Sequence, residues 1–264
     1  MPETAPFLAR GEQPAFEQSP GRAGARVLLV CDHAGKLVPR ALNRLGLDDG
    51  DLSQHIGWDI GAGAVTRNLA QALELPAMLS FYSRLVIDCN RDPDDPTSIP
   101  LVSDGVAIPG NRDLAAAACQ DRRRHLFEPY HAAIAAWIAV SLGSGVSPAL
   151  IGVHSFTPSM NGQARPWHVG VLWDGDGRIA LPLLAGLRGE AGLIVGDNQP
   201  YSARQPAGYT MRHHAANRGL PHVALEIRQD LIAEDAGARE WAERLARVLR
   251  PILEDDSIYR PWQK

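Results

Sequence analysis

The strongest constraint on the fold is a repeated change of hydrophobic period along the chain. Apolar runs of strand length, such as VLLV (27–30) and ALIGV (149–153), alternate with Ala- and Leu-rich segments of helix length. Near-continuous apolar runs suit strands buried on both faces, and their alternation with amphipathic helices marks a parallel or mixed sheet covered by helices, an α/β fold. The runs predict strands at 26–31, 77–81, 84–90, 149–156, 168–173, 193–198 and 222–228, with helices at 57–74, 111–141, 180–189 and 236–253. The stretch 92–109, holding Pro93, Pro96, Pro100 and Pro109, reads as a long surface loop. Residues 1–25 show neither helical nor strand periodicity and read as an extended N-terminal arm, leaving 26–264 as a single α/β domain.

Composition narrows the function. With 264 residues, 45% of them hydrophobic, the chain can bury a large core. The formal charge is only −4 and the basic residues are dispersed, so there is no electrostatic footprint for nucleic acid or a membrane surface. The expected partner is a small molecule. No apolar run reaches the roughly 20 residues that span a bilayer and the N-terminus has no secretory pattern, which predicts a cytoplasmic protein. Nothing in the sequence speaks to oligomeric state. Cys31, Cys89 and Cys119 show no CxxC spacing, which argues against a disulfide framework or a thiolate zinc knot. A metal would need histidine and carboxylate ligands.

The chemistry collects where apolar runs end in polar residues: VLLVC runs into Asp32 and His33, LIGV into His154, and VAL into Glu226. Open α/β sheets bind ligands beyond the carboxyl ends of their strands, so these residues can converge there. Two imidazoles and a carboxylate suit a hydrolytic zinc with Glu226 as the water-activating base. Taken singly, a histidine in a loop is more often a hydrogen-bonded structural residue than a ligand; the constellation is what points to a metal. A carboxylate inside HVALEIR must be paired or functional to offset its desolvation, and Arg228, two residues on and facing the same side of a strand, is the alternative partner for a plain ion pair. In SRLVIDCNRDP, Arg84, Asn90 and Arg91 form either a clamp for a substrate carboxylate or a solvated turn capped by Asn90. Cys31, two residues before His33, is a competing nucleophile.

The blocks CDHAGKLVP, HIGWDIGA, SRLVIDCNRDP, GVHSFTPSMNGQARPWHVGVL and GLPHVALEIRQDLI, in this order across residues 26–232, resemble the N-formylglutamate amidohydrolase family. That family is similar in fold to the zinc carboxypeptidase and aspartoacylase superfamily. The resemblance implies a three-layer α/β/α sandwich with a central mixed sheet, and one zinc ion, or another divalent cation, bound by His33 and His154. It further implies Glu226 as base and Arg84, Asn90 and Arg91 as a clamp for a carboxylate substrate. The related peptidases carry a glutamate three residues after the first histidine, where this chain has Lys36. Asp59 is the candidate third ligand; its alternatives are to cap a helix beginning near Gly61 or to orient His33 as an acceptor. Arg228 is assigned to the oxyanion or a carboxylate, and Tyr201, Tyr209 and Arg212 to the substrate. Asp32 is read as an acceptor behind the ligands, Trp167 and His168 as packing or pocket wall, and His131 as structural. The implied reaction cleaves N-formyl-L-glutamate to formate and L-glutamate, the last step of one histidine degradation route. A hydrolase for another N-acyl amino acid or small peptide, and a non-catalytic dicarboxylate-binding protein, are the alternatives.

Overall fold

A computed structural model describes residues 6–204 and 208–262. The strands are β1 (Phe16–Ser19), β2 (Val27–Cys31), β3 (Ala77–Ser80), β4 (Val102–Ser103), β5 (Val106–Ala107), β6 (Ala149–Phe156), β7 (Ser159–Met160), β8 (Gln163–Ala164), β9 (Val169–Leu172), β10 (Val195–Asp197) and β11 (His222–Arg228). The helices are α1 (Asp49–Ser53), α2 (Ala62–Leu73), α3 (Ala116–Arg122), α4 (Glu128–Gly143), α5 (Ala180–Arg188), α6 (Tyr209–His214) and α7 (Asp235–Glu254). None of the described helices is long and apolar enough to cross a membrane.

Seven strands form one mixed sheet in the order β1-β3-β2-β6-β11-β9-β10, while β4–β5 and β7–β8 are separate two-stranded ribbons. β3, β2, β6 and β11 run parallel; β1 joins β3, and β9 joins β11, antiparallel. Alternate residues divide between the faces. Val27, Leu29, Cys31, Ile151, Val153, Val223 and Leu225 pack under α2, α5 and α7. Leu28, Val30, Met78 and Leu150 pack under Tyr130, Ile134 and Ile138 of α4. The result is a three-layer α/β/α sandwich. α7 shows why the sequence folds this way: Ala238, Trp241, Ala242, Leu245, Ala246, Leu249 and Ile252 recur at helical spacing and are all buried.

Most predicted elements are present with trimmed ends. The helix expected from 57 starts at Ala62, and the one expected over 111–141 is divided into α3 and α4 by a π-helical turn at Arg123–Phe127. The strand expected over 84–90 is absent. Leu85, Val86 and Ile87 are buried as their composition requires, but the segment is a run of turns whose polar backbone is satisfied by side chains and loops rather than by a ladder. Asn111 Nδ2 donates to the Leu85 carbonyl, Arg122 Nη1 to the Val86 carbonyl, and the Asp88 amide to the Ser98 carbonyl. The seventh place in the sheet belongs to β1, inside the segment read as an extended arm.

Arg122 pins this irregular region. Only 1% exposed, it also donates to Asn111 Oδ1 and to the Gly110 carbonyl, tying the start of the turn segment to the end of the proline-rich loop. Its charge is offset by carbonyl dipoles, so removing it orphans two buried acceptors and the half-buried Gly110 carbonyl. Arg122→Met is expected to cost about 3 kcal/mol in urea unfolding, and limited proteolysis is expected to shift to sites between 92 and 111.

Candidate metal and active site

The loops following β2 and β3, the turn before α2, and β6 and β11 converge at one end of the sheet. His33 lies two residues beyond β2, and His154 and Glu226 are register partners on the adjacent parallel strands β6 and β11. Asp59 reaches them from the turn before α2, where its amide donates to the His33 carbonyl at 2.9 Å and the Ala62 amide donates to the Asp59 carbonyl at 3.1 Å. The turn fits because Gly61 takes φ +79° with no side chain: a Cβ there would lie 2.1 Å from the Ile232 carbonyl oxygen. The residue capping α2 is Gly61, so the Asp59 carboxylate is not a helix cap.

That carboxylate joins the histidines. Asp59 Oδ2 lies 2.9 Å from His154 Nδ1 and 3.3 Å from His33 Nδ1, and the rings stand edge to face with centroids 5.4 Å apart. Ligand atoms of His33, Asp59 and His154 fall within 4.8 Å of one another, all from buried residues. Each ring turns its other nitrogen to a carboxylate: His33 Nε2 is 2.7 Å from Asp88 Oδ1, and His154 Nε2 is 3.4 Å from Asp32 Oδ2. Carboxylates behind the rings fix tautomer and orientation in metal sites. Asp32 is in turn held by Tyr130 Oη at 2.9 Å and Thr210 Oγ1 at 2.8 Å, and Asp88 receives the Asn90 amide at 2.8 Å.

The donor set suits a divalent cation. Asp32, Asp59, Asp88 and Glu226 are all buried, and the cation that meets them is the half-buried Arg84, whose Nη2 donates to Asp59 Oδ1. An added positive charge at the His33–Asp59–His154 trio would balance this excess, with nitrogen and oxygen ligands of the kind zinc takes. Burial, helped by the Arg84 charge, pushes the His33 pKa down, whereas at His154 the Asp32 and Glu226 carboxylates outweigh burial and raise it. Burial raises the Glu226 carboxyl above the usual range against the pull of His154 and Arg84, and its Oε2 has no hydrogen-bond partner among the described residues. A buried, unpartnered carboxylate oxygen at the edge of such a trio is placed to exchange a proton.

These groups open into a cavity of about 970 Å³ that is also lined by Arg84, Asn90, Arg91, Arg212 and Tyr201. Asn90 Oδ1 is used by the Thr210 amide, which leaves Nδ2 as the donor. Two expected substrate groups lie elsewhere. The Arg228 guanidinium is captured by Asp230, with Nε 2.8 Å from Oδ1, and lies outside the residues lining the cavity; it does not pair with Glu226. The Tyr209 ring packs between His213 at 4.6 Å and Phe127 at 5.4 Å, also outside that lining. His131 is buried against His214, and the Lys36 ammonium bonds Ser53 at 2.8 Å.

Two neighbours escaped the sequence reading. Asp88 sits in SRLVIDCNRDP among Arg84, Asn90 and Arg91; its signal is a carboxylate directly after three buried apolar residues. His55 opens the block HIGWDIGA and lines the cavity with Nε2 3.9 Å from Asp59 Oδ1. Burial first, then the Arg84 charge, pushes its pKa down to about 3.

A family model for N-formylglutamate amidohydrolase matches residues 25–233. Among solved structures, a gene product of Agrobacterium tumefaciens is 37% identical, with a TM-score of 0.89 over 94% of this chain and 98% of that one. The N-formylglutamate amidohydrolase of Ralstonia eutropha JMP134 is 19% identical, with a TM-score of 0.60 over 90% of this chain and 97% of that one, a likeness of fold. No curated protein matches the sequence significantly. With the match spanning β2 to β11 and every residue of the trio, the chain belongs to the N-formylglutamate amidohydrolase family.

Proposed function

We propose that this protein hydrolyses N-formyl-L-glutamate to formate and L-glutamate, using one zinc ion held by His33, Asp59 and His154. The observation that carries this reading is the convergence of that trio with the unpartnered Glu226 Oε2 beside a cluster of arginines. A zinc ion there would polarise the scissile carbonyl and make water more acidic. Glu226, raised by burial, takes a proton from the attacking water and delivers it to the amine nitrogen as the C–N bond breaks. Asp88, accepting from His33 Nε2, would leave the His33 nitrogen that faces Asp59 free for a metal, and the Asp32 carboxylate lies 3.4 Å behind His154 Nε2. Arg91, Arg212 and Asn90 Nδ2 hold the substrate carboxylates. Arg84 orients Asp59, and its Nε, buried without a partner, is the donor for negative charge that develops nearby.

Cys31 does not suit the competing role of nucleophile. Its side chain lies in the core under α2, and burial, then the neighbouring Asp32 charge, pushes its thiol up to about 12. A thiol held protonated is a poor nucleophile.

Three outcomes are expected. Elemental analysis should find about one metal per chain in the wild type and little in His154→Ala, with formylglutamate hydrolysis lost on chelation and restored by zinc. Metal without formylglutamate turnover would retain the site and overturn the substrate. Glu226→Gln should lower kcat roughly 10³-fold with metal content unchanged, measured under saturating substrate. Cys31→Ser should keep kcat/KM within about threefold of wild type per folded molecule.

A further inference from the structure

Glu226 stands opposite a glycine. Its register partner on β9 is Gly170, and residues directly opposite in an antiparallel pair share a sheet face, so the missing side chain opens a space beside the base. Backbone fills that space: a Cβ on Gly170 would collide with the Gln199 carbonyl oxygen. The segment after β10 is thereby laid over the sheet next to Glu226. Asn198 fixes it at both ends. Its amide donates to the Val171 carbonyl at 3.0 Å, and its Oδ1 accepts the amides of Trp173 and Ala203, each at 3.1 Å. Tyr201 lies between these anchors and lines the same cavity as the trio and Glu226.

The Tyr201 hydroxyl has a cation behind it. Arg165, directly after β8, donates from Nη1 to Tyr201 Oη at 3.1 Å and to Thr157 Oγ1 at 3.3 Å, and from Nη2 to Met160 Sδ. The Arg165 amide donates to the Pro158 carbonyl at 2.8 Å, so the guanidinium is delivered by a tied turn. All of its side-chain partners are neutral, and its charge reaches Glu226, where it joins His154, Arg84 and His33 in opposing the effect of burial. A guanidinium cannot accept a hydrogen bond, so Tyr201 Oη engages one lone pair on Arg165 and keeps its own proton for another acceptor. No described residue takes that proton, and Glu226 Oε2 is itself without a partner.

The carboxylate-binding groups are on other elements. The Thr210 amide of α6 donates to Asn90 Oδ1 at 3.0 Å, which gathers Asn90, Arg91 and Arg212 between the loop after β3 and α6. Tyr201 comes from the β10 side of the base. A fixed donor, polarised by a cation and unused before substrate enters, suits an oxygen on which negative charge develops.

We propose that Tyr201 is a catalytic hydrogen-bond donor to the oxygen of the scissile formyl group and that Arg165 is its positioning residue. This deepens the hydrolase reading above and rests on it. As the water oxygen bonds to the formyl carbon, the carbonyl π pair moves onto its oxygen; Tyr201 donates to that oxyanion without losing its proton, alongside Arg84 Nε. When the oxyanion collapses, the C–N bond breaks and the amine leaves with the proton delivered by Glu226.

Tyr201→Phe deletes the hydroxyl and keeps the ring. In the zinc-loaded enzyme it should lower kcat for N-formyl-L-glutamate about 10²-fold, with KM within about threefold and metal content unchanged. A raised KM at unchanged kcat would make Tyr201 a carboxylate ligand and overturn the proposal. Arg165→Lys keeps the charge near Glu226 and loses the planar fork. It should lower kcat about tenfold in the wild-type background and less than about twofold in Tyr201→Phe, a dependence that a merely structural role would not produce. Equal losses in both backgrounds overturn the positioning role. Calorimetry supplies a readout free of turnover: N-phosphoryl-L-glutamate, with charged tetrahedral oxygens at the formyl position, should bind Tyr201→Phe about 30-fold more weakly than wild type, while L-glutamate binds both within about twofold. Equal weakening of the two ligands counts against the oxyanion role. Wild type that hydrolyses no formylglutamate overturns the earlier reading, whereas wild type and Tyr201→Phe hydrolysing it equally fast overturn this one.

Discussion

The Asp59 carboxylate, 2% exposed, faces His33 Nδ1 and His154 Nδ1 with one oxygen and takes Arg84 with the other. A charge so far from water must be paired and hydrogen-bonded to offset its desolvation, and removing one partner of a buried pair costs more than the pair contributes. The same requirement propagates outward. His33 leans on Asp88, which needs the Asn90 amide; His154 leans on Asp32, which needs Tyr130 and Thr210. Residues from α4 and α6 that touch no substrate are thus part of what holds the site in one geometry.

This network unites segments far apart in the chain. Residues 33, 59, 88, 154 and 226 meet only once β2, β6 and β11 are paired and the turn before α2 has closed on Ile232. A cation bound to such a set acts on the whole folded state, because the unfolded chain offers no comparable cluster. α6 adds a physical link between the two halves of the pocket: Thr210 holds Asp32 behind the trio, while Arg212, two residues on, lines the substrate cavity.

Much of this was legible because buried strands announce themselves by apolar runs and sites by the polar residues that end them. His33, His154 and Glu226 were found that way and do converge. The failures have definite causes. Hydrophobic period reports burial rather than pairing, so Leu85–Ile87 looked like a strand although side chains of Asn111 and Arg122 take its carbonyls. Strand β1 pairs through backbone at a sheet edge, which leaves little mark on side-chain pattern. Arg228 shares a strand face with Glu226 by spacing, but Asp230, two residues on, captures it first. Spacing leaves Asp59 as ligand, helix cap or acceptor for His33; the left-handed Gly61 takes the cap position and removes that one alternative.

β1 has a consequence out of proportion to its four residues. By pairing antiparallel with β3 from Phe16↔Ser80 to Ser19↔Ala77, it covers the outer hydrogen-bonding edge of a fully buried strand. Arg67 of α2 fastens it from the side through Glu17, with Nη2 to Oε2 at 2.6 Å. Without that cover, β3 would offer a row of free amides and carbonyls flanked by Met78 and Leu79, a ready template for strand addition by another chain. The N-terminal segment thus closes a sheet edge next to the strand that leads into the site, and its Phe16 packs on Tyr130, the residue that holds Asp32.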